Sequence, residues 1–221
     1  MYLSCRRLIF SAVILTGLAT SAFAQGDGDR VERGSQLATE AAAVLYEEDP
    51  AEPAGRRYVG SAAWRTETVT PETGQPPELA ILPDIAVPER KLALTLSLRP
   101  NTDRSLSATH TIEITFKLPA DFAPGGISNV PGIRMKLGER VRGVPLALQS
   151  VKVTPSVYLM GLSDSEQDKP KNLQLLERDW FDIALVYSNQ RRAIIALEKG
   201  AAGARAFEQA FSIWEQNAPR E

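Results

Sequence analysis

One cysteine and one histidine are all this 221-residue chain holds of the two side chains that most often bind transition metals or drive nucleophilic chemistry. The cysteine, Cys5, stands ahead of the first apolar run, so a chain processed behind that run has no thiol and cannot use disulfides. Zinc, copper or iron would need a carboxylate-heavy site around His110, and no Asp/Glu cluster at ligand spacing accompanies it. A serine nucleophile would have His110 as its sole conventional base, and no Gly-x-Ser-x-Gly turn is present. An excess of positive charge is missing too. The 25 Lys+Arg against 27 Asp+Glu leave a net charge of -2, which is no footprint for nucleic acid. No apolar run spans a bilayer: Leu8 to Leu18 falls short of the roughly 20 residues required and is interrupted by Ser11, Thr16 and Gly17.

What is present at the N-terminus is a three-part secretory leader: Arg6-Arg7, the apolar run, and Ala22-Phe23-Ala24 before Gln25. Residues 1–24 are expected to be removed, leaving a protein that starts at Gln25, has no membrane span, and resides in the periplasm or outside the cell. The leader carries two of the Lys+Arg and none of the Asp+Glu, so the remaining 197 residues have a net charge of -4. That length supports one domain with an ordinary core.

Residues 25–57 are polar and acidic, running through Glu47-Glu48-Asp49-Pro50 and Pro53-Ala54-Gly55, and read as a flexible tail or linker. Within them Ser35 to Tyr46 has a thin helical face of Leu37, Ala41, Val44 and Leu45, with Ser35 as a cap. The folded domain is expected over residues 58–216, with 217–221 as a short tail.

Inside the domain the two-residue strand period dominates. Tyr58 to Val69 reads as the first strand, and Leu79 to Val87 as an edge or irregular strand because of Pro83 and Pro88. Leu92, Leu94, Leu96 and Leu98 alternate with polar or small residues, and Ile112, Ile114, Phe116 and Leu118 repeat the pattern after a turn. Asp121 to Gly132 is rich in Gly and Pro and reads as loop, with Gly125-Gly126 supplying positive φ. Strands follow at Ile133 to Leu137, Leu146 to Val153 and Ser156 to Leu162. A helix is expected between Ser163 and Trp180, on the spacing of Leu173, Leu176 and Trp180. Phe181 to Lys199 is the strongest hairpin signal, two apolar runs around Ser188 to Arg191. The last element is a helix with Phe207, Ala210, Phe211 and Trp214 on one stripe. The fold class expected is mainly β: an antiparallel β-sandwich with one connecting helix and a C-terminal helix packed on the hairpin.

Candidate sites follow from residue type. His110 shares a strand face with Ile112 and Ile114, which suits an imidazole at a sheet end satisfied by backbone better than a ligand. Glu113, Asp121, Glu139, Asp164 and Asp182 could supply a carboxylate pair for hydrolysis, but their positions at strand ends, loops and an outward face read as solvated surface. Gly125, Gly126 and Gly132 lack the strand-to-helix context of a phosphate loop. Arg191-Arg192 at the hairpin tip, with Arg140 and Arg142, would form a basic spot for an acidic ligand or lipid headgroup if their loops converge; guarding a sheet edge is the simpler account. Trp64, Trp180 and Trp214 suit a helix-on-sheet core, with a ligand cavity as the alternative. No residue is assigned a catalytic, cofactor or metal role.

The order of Trp64-Arg65 on an early strand, Leu118-Pro119 and Pro131-Gly132 around a Gly-rich loop, and an apolar hairpin before the short Phe207 to Phe211 helix resembles the invasion-associated locus B family of secreted bacterial proteins. The likeness runs from Tyr58 to Gln216. It implies a small cell-envelope β-sandwich without established catalysis, and it transfers no functional residue; its members usually carry cysteines, which are missing here after Cys5. The expectation is an exported cell-envelope protein, not an enzyme, that binds another envelope protein. The alternatives are a carboxylate-dependent hydrolase and a carrier of a small apolar ligand.

Overall fold

The computed structural model describes residues 40–70 and 77–217; residues 1–39, on which the expected leader falls, 71–76 and 218–221 lie outside the described residues. Its strands are β1 (Glu40–Asp49), β2 (Glu52–Val69), β3 (Glu78–Val87), β4 (Leu92–Pro100), β5 (Ala108–Lys117), β6 (Ile127–Lys136), β7 (Val144–Pro145), β8 (Leu148–Lys152), β9 (Val157–Ser163), β10 (Trp180–Tyr187) and β11 (Arg192–Glu198). Helix α1 (Asp168–Leu176) precedes β10, and α2 (Gly200–Asn217) follows β11.

The fold is mainly antiparallel β with two helices, as the strand patterns imply, but it is not a pair of stacked sheets. All eleven strands form one sheet in the order β7-β6-β10-β11-β1-β2-β3-β4-β5-β9-β8, curled into a half-barrel. Its two terminal strands are consecutive in the chain, so the curl brings its edges together at Leu146-Ala147. There Leu146 donates its N–H to Ile133 O of β6 (3.0 Å), while Ala147 O accepts from Ser163 N of β9 (2.9 Å). Asn172 of α1 fixes this junction by acting as a surrogate peptide. Its Oδ1 accepts from Ala147 N (2.9 Å) and its Nδ2 donates to Ala147 O (2.8 Å), with the side chain buried. Between β9 and β6, Tyr158 adds an O–H bond to Ile127 O (2.9 Å).

The inner face of the curl is the core. One residue in two along each strand points into it: Ala43 and Leu45, Ala62 and Trp64, Ile85 and Val87, Leu94 and Leu96, Ile112 and Ile114, Phe181 and Ile183, Ile195 and Leu197. At ~25 cal/mol per Å² of apolar surface, each large side chain removed from water contributes roughly 1.5–3 kcal/mol.

Three expectations are corrected. The second half of the expected linker, residues 40–57, is β1 and the start of β2, and Ala41 to Tyr46 is a strand rather than a helix. Small and β-prone residues there fit either period, and pairing with β2 on one side and β11 on the other decides for strand. Next, β3 is central, between β2 and β4, despite Pro83. The β3–β4 ladder passes over Leu82 and Pro83, resuming at Asp84↔Thr95, so the missing N–H costs no bond. Lastly, β6 begins at Ile127, inside the stretch read as loop; Gly125 and Gly126 do take positive φ, +80° and +117°.

Helix α2 meets the β10–β11 hairpin, as expected, where Phe207 touches Phe181 of β10. It packs against β1, β2 and β3 on the inner side, seated on Trp64. A Cβ at Gly203 would sit 3.0 Å from the Trp64 ring and 2.9 Å from Lys199 Cβ, so only glycine allows this approach. Phe207 and Ala210 are buried on the stripe, whereas Phe211 and Trp214 are half-buried. Phe207 meets Trp64 and Phe181, both at 5.8 Å between ring centroids.

Candidate functional site

The outer face of the sheet is open where β6, β10, β11 and β1 lie side by side. Strand register stacks two rows there. Arg134, Asp182, Ala196 and Val44 form one, of which Ala196 and Val44 are buried; Gly132, Ala184, Ile194 and Tyr46 form the next. Gly132 and Ala184 bring almost no side chain, so the second row is the low floor of a trough. One wall is the β7 segment with Arg142, Gly143 and Pro145, and the other is the β1–β2 hairpin with Glu48, Asp49 and Glu52. The volume of this open trough is about 1200 Å³.

Charge in the trough is sorted by partner. Asp182 faces Lys136, 2.5 Å away, and burial pushes its carboxyl above the usual range against the pull of that lysine. Lys136 also donates to Glu139 O and sits 5.8 Å from the Trp180 ring. Arg191 donates through Nε to the backbone oxygen of Glu48 (2.8 Å), and Arg192 gives its N–H to Glu48 Oε2 (3.1 Å). Asp49 pairs with Arg56. That leaves the guanidinium groups of Arg134, Arg142 and Arg192 exposed, without a hydrogen bond or ion pair to any described residue.

Two of the four arginines singled out in sequence, Arg191 and Arg192, therefore do share a cavity with Arg142, while Arg140 stands outside it. Their simpler account, protection of an edge, is overturned: β11 is paired on both sides, by β10 and β1, and has no edge to guard. Arg134 was missed because its strand was read as beginning at Ile133, too short to place its neighbours. The signal was available in the alternation of Arg134 with Ile133 and Met135.

The carboxylates are not brought together. Asp182 lines the trough and Asp164 a smaller cleft of about 490 Å³ near Leu148 and Val151. Glu139 accepts from Tyr46 Oη and pairs with Arg57 (3.1 Å); Asp121 pairs with Lys91 (3.4 Å); Glu113 is exposed on β5. No group of three or more metal-binding side chains occurs among the described residues.

His110 faces the Trp214 ring at 5.1 Å, and its Nδ1 has no partner, so the backbone contact expected for it is not made. Burial, with Lys169 adding its charge, lowers its pKa to about 4. Trp64 is a core residue and donates to Glu198 O (2.8 Å); Trp214 donates to Leu79 O (2.8 Å); Trp180 lies on the outer face opposite Phe181.

Two buried polar sites hold the ends of the inner face. Glu47 accepts from Tyr187 Oη (2.5 Å) and pairs with Arg90 (3.1 Å), and desolvation together with that carboxylate pushes the Tyr187 phenol up. Lys199 donates to Leu176 O (2.5 Å) with its ammonium 3.7 Å from the Phe207 centroid, and burial lowers its pKa to about 8. The lysine and glutamate side chains are both satisfied inside the fold, although Glu47 also borders the trough.

No protein-family model matches the chain, and no curated protein or solved structure is similar enough to count as a match. The functional reading therefore rests on the trough and the sequence.

Proposed function

We propose that this is an exported bacterial cell-envelope protein that works by binding another envelope protein, with the outer trough as its contact surface. The observation that carries the reading is the set of three exposed arginines, Arg134, Arg142 and Arg192, whose guanidinium groups make no hydrogen bond or ion pair to any described residue, around the low floor at Gly132, Ala184 and Ile194. Free guanidinium groups beside exposed apolar side chains are the composition of protein interfaces, where arginine anchors are enriched. The apolar part is present: Ile194 is 41% exposed on the floor, and Leu137 and Val141 are more than half exposed on the loop that Glu139 ties to Tyr46 and Arg57. The leader of residues 1–24 and the likeness to secreted envelope proteins supply the compartment. A small-ligand carrier is less well supported, because the inner face of the curl is filled by its own side chains.

Two measurements in the native host test it. Intact mass of the recovered protein should begin at Gln25, and a photo-crosslinker at Ile194 should join it to one envelope protein, while one at Glu113, exposed on β5 away from the trough, should not. Retention of the leader in a cytoplasmic form, or crosslinking from Glu113 alone, would overturn the reading.

A further inference from the structure

Resting on the reading of the trough as a binding surface, we propose that its occupant is an extended acidic peptide segment of the partner, with two carboxylates four residues apart. Strand register gives the spacing. Arg134 is level with Asp182 on β10, and Arg192 is level with Val186, four residues further along the same strand. At about 3.3 Å per residue those levels are roughly 13 Å apart. Arg134 on β6 and Arg192 on β11 also stand two strands apart, roughly 9.6 Å sideways, so the peptide crosses β10 diagonally; residues i and i+4 of an extended chain share one face about 13 Å apart, and the long guanidinium side chains span the difference. One carboxylate then meets Arg134 with Arg142 beside it, since Gly143 places its backbone against the Arg134 side chain. The second meets Arg192.

The residue midway, i+2, comes down over Ala184 and Ile194, where Gly132 and Ala184 leave room for an apolar side chain. The far wall carries Glu48, Asp49 and Glu52, which repel an acidic chain; beside Arg192 that repulsion is offset, since Glu48 accepts from the Arg192 N–H and its backbone oxygen accepts from Arg191. A single small anion would engage one end and leave the other arginine and the floor unused. A flat anionic bilayer would meet the rims, the β1–β2 hairpin and β7, before the half-buried Ala184 between them.

The test is selection from a phage-displayed peptide library on the purified protein, counter-screened against the R134Q/R142Q/R192Q variant. These side chains are exposed and make no hydrogen bond or ion pair to any described residue, so the variant should keep the melting curve of the parent. Enriched peptides should carry Asp or Glu at i and i+4 with an apolar residue at i+2. A synthetic one should bind at least about ten-fold more weakly to the variant, and more weakly as salt rises. No enrichment, enrichment without the acidic pair, or equal binding to the variant would overturn the proposal. So would phosphatidylglycerol vesicles that bind in an arginine-dependent way while peptides do not. If Ile194 crosslinks to a partner whose contacting segment lacks acidic residues, the peptide proposal fails and the binding surface stands; if Ile194 crosslinks to nothing, the surface itself fails.

Discussion

Replacing Phe207 with Ala tests how α2 is held to the sheet. The ring is 5% exposed, touches Trp64, Phe181 and Phe211 at centroid separations of 5.7 to 5.8 Å, and lies under the Lys199 ammonium at 3.7 Å. Truncating a buried phenylalanine costs about 3–5 kcal/mol in lost transfer energy and residual cavity. That is a large share of the ~5–15 kcal/mol available to a domain. The loss is not confined to the cavity, because Lys199 also gives up the ring face that shares its burial with the Leu176 carbonyl. At roughly 2–4 °C per kcal/mol for a domain of this size, the thermal midpoint should fall by about 6–20 °C. Urea titration at constant slope separates a change in stability from a change in compactness. Phe211→Ala, at a half-buried position on the same stripe, should cost clearly less. An unchanged midpoint for Phe207→Ala, or a larger fall for Phe211→Ala, would refute the seating of the helix on Trp64.

Acid sensitivity follows from His110. Its pKa is about 4 in the fold against 6.5 for the free side chain, so the unfolded chain binds the proton first. Stability should therefore decline as pH falls from 6.5 toward 4, by about 3 kcal/mol from this group in all, and His110→Gln should remove that part of the slope in urea titrations; parallel profiles would contradict it. Asn172→Ala strips both bonds from Ala147 and should cost about 1–3 kcal/mol, with faster amide exchange at Leu146 and Ser163 as the local readout. Gly203→Ala should destabilise despite its better helix propensity, because the new methyl meets Trp64 and Lys199, and a rise in melting temperature would show that the contact is not tight.

Strand periodicity was legible wherever one face is buried and the other wet, as in β4, β5, β10 and β11, because alternation in sequence is then a direct image of the two environments. It failed for β1, where Ala41 to Leu45 is apolar or small at every position and compatible with a helix; its partner β11 lies some 150 residues away, out of reach of any local signal. The change from two sheets to one curled sheet has the same origin. Alternation reports which side of a strand is buried, and both architectures bury one side of each strand. What separates them is the closure at Leu146-Ala147, whose side-chain clasp is Asn172, on a helix whose apolar spacing drew attention to Leu173 and Leu176 instead. The trough was half legible. Arg142, Arg191 and Arg192 were noticed as charges that converging loops could join, yet the sequence offered no way to see that β1 inserts beside β11 and turns a supposed edge into the floor of a cavity.

Hydrogen–deuterium exchange of the protein with and without the partner recovered by crosslinking tests the central claim most directly. Protection on binding should concentrate at residues 131–134, 142–146 and 182–194, the floor and arginine wall of the trough, and should vanish in the R134Q/R142Q/R192Q variant. Protection confined to β4 and β5 or to α2, with the trough exchanging as in the free protein, would contradict it.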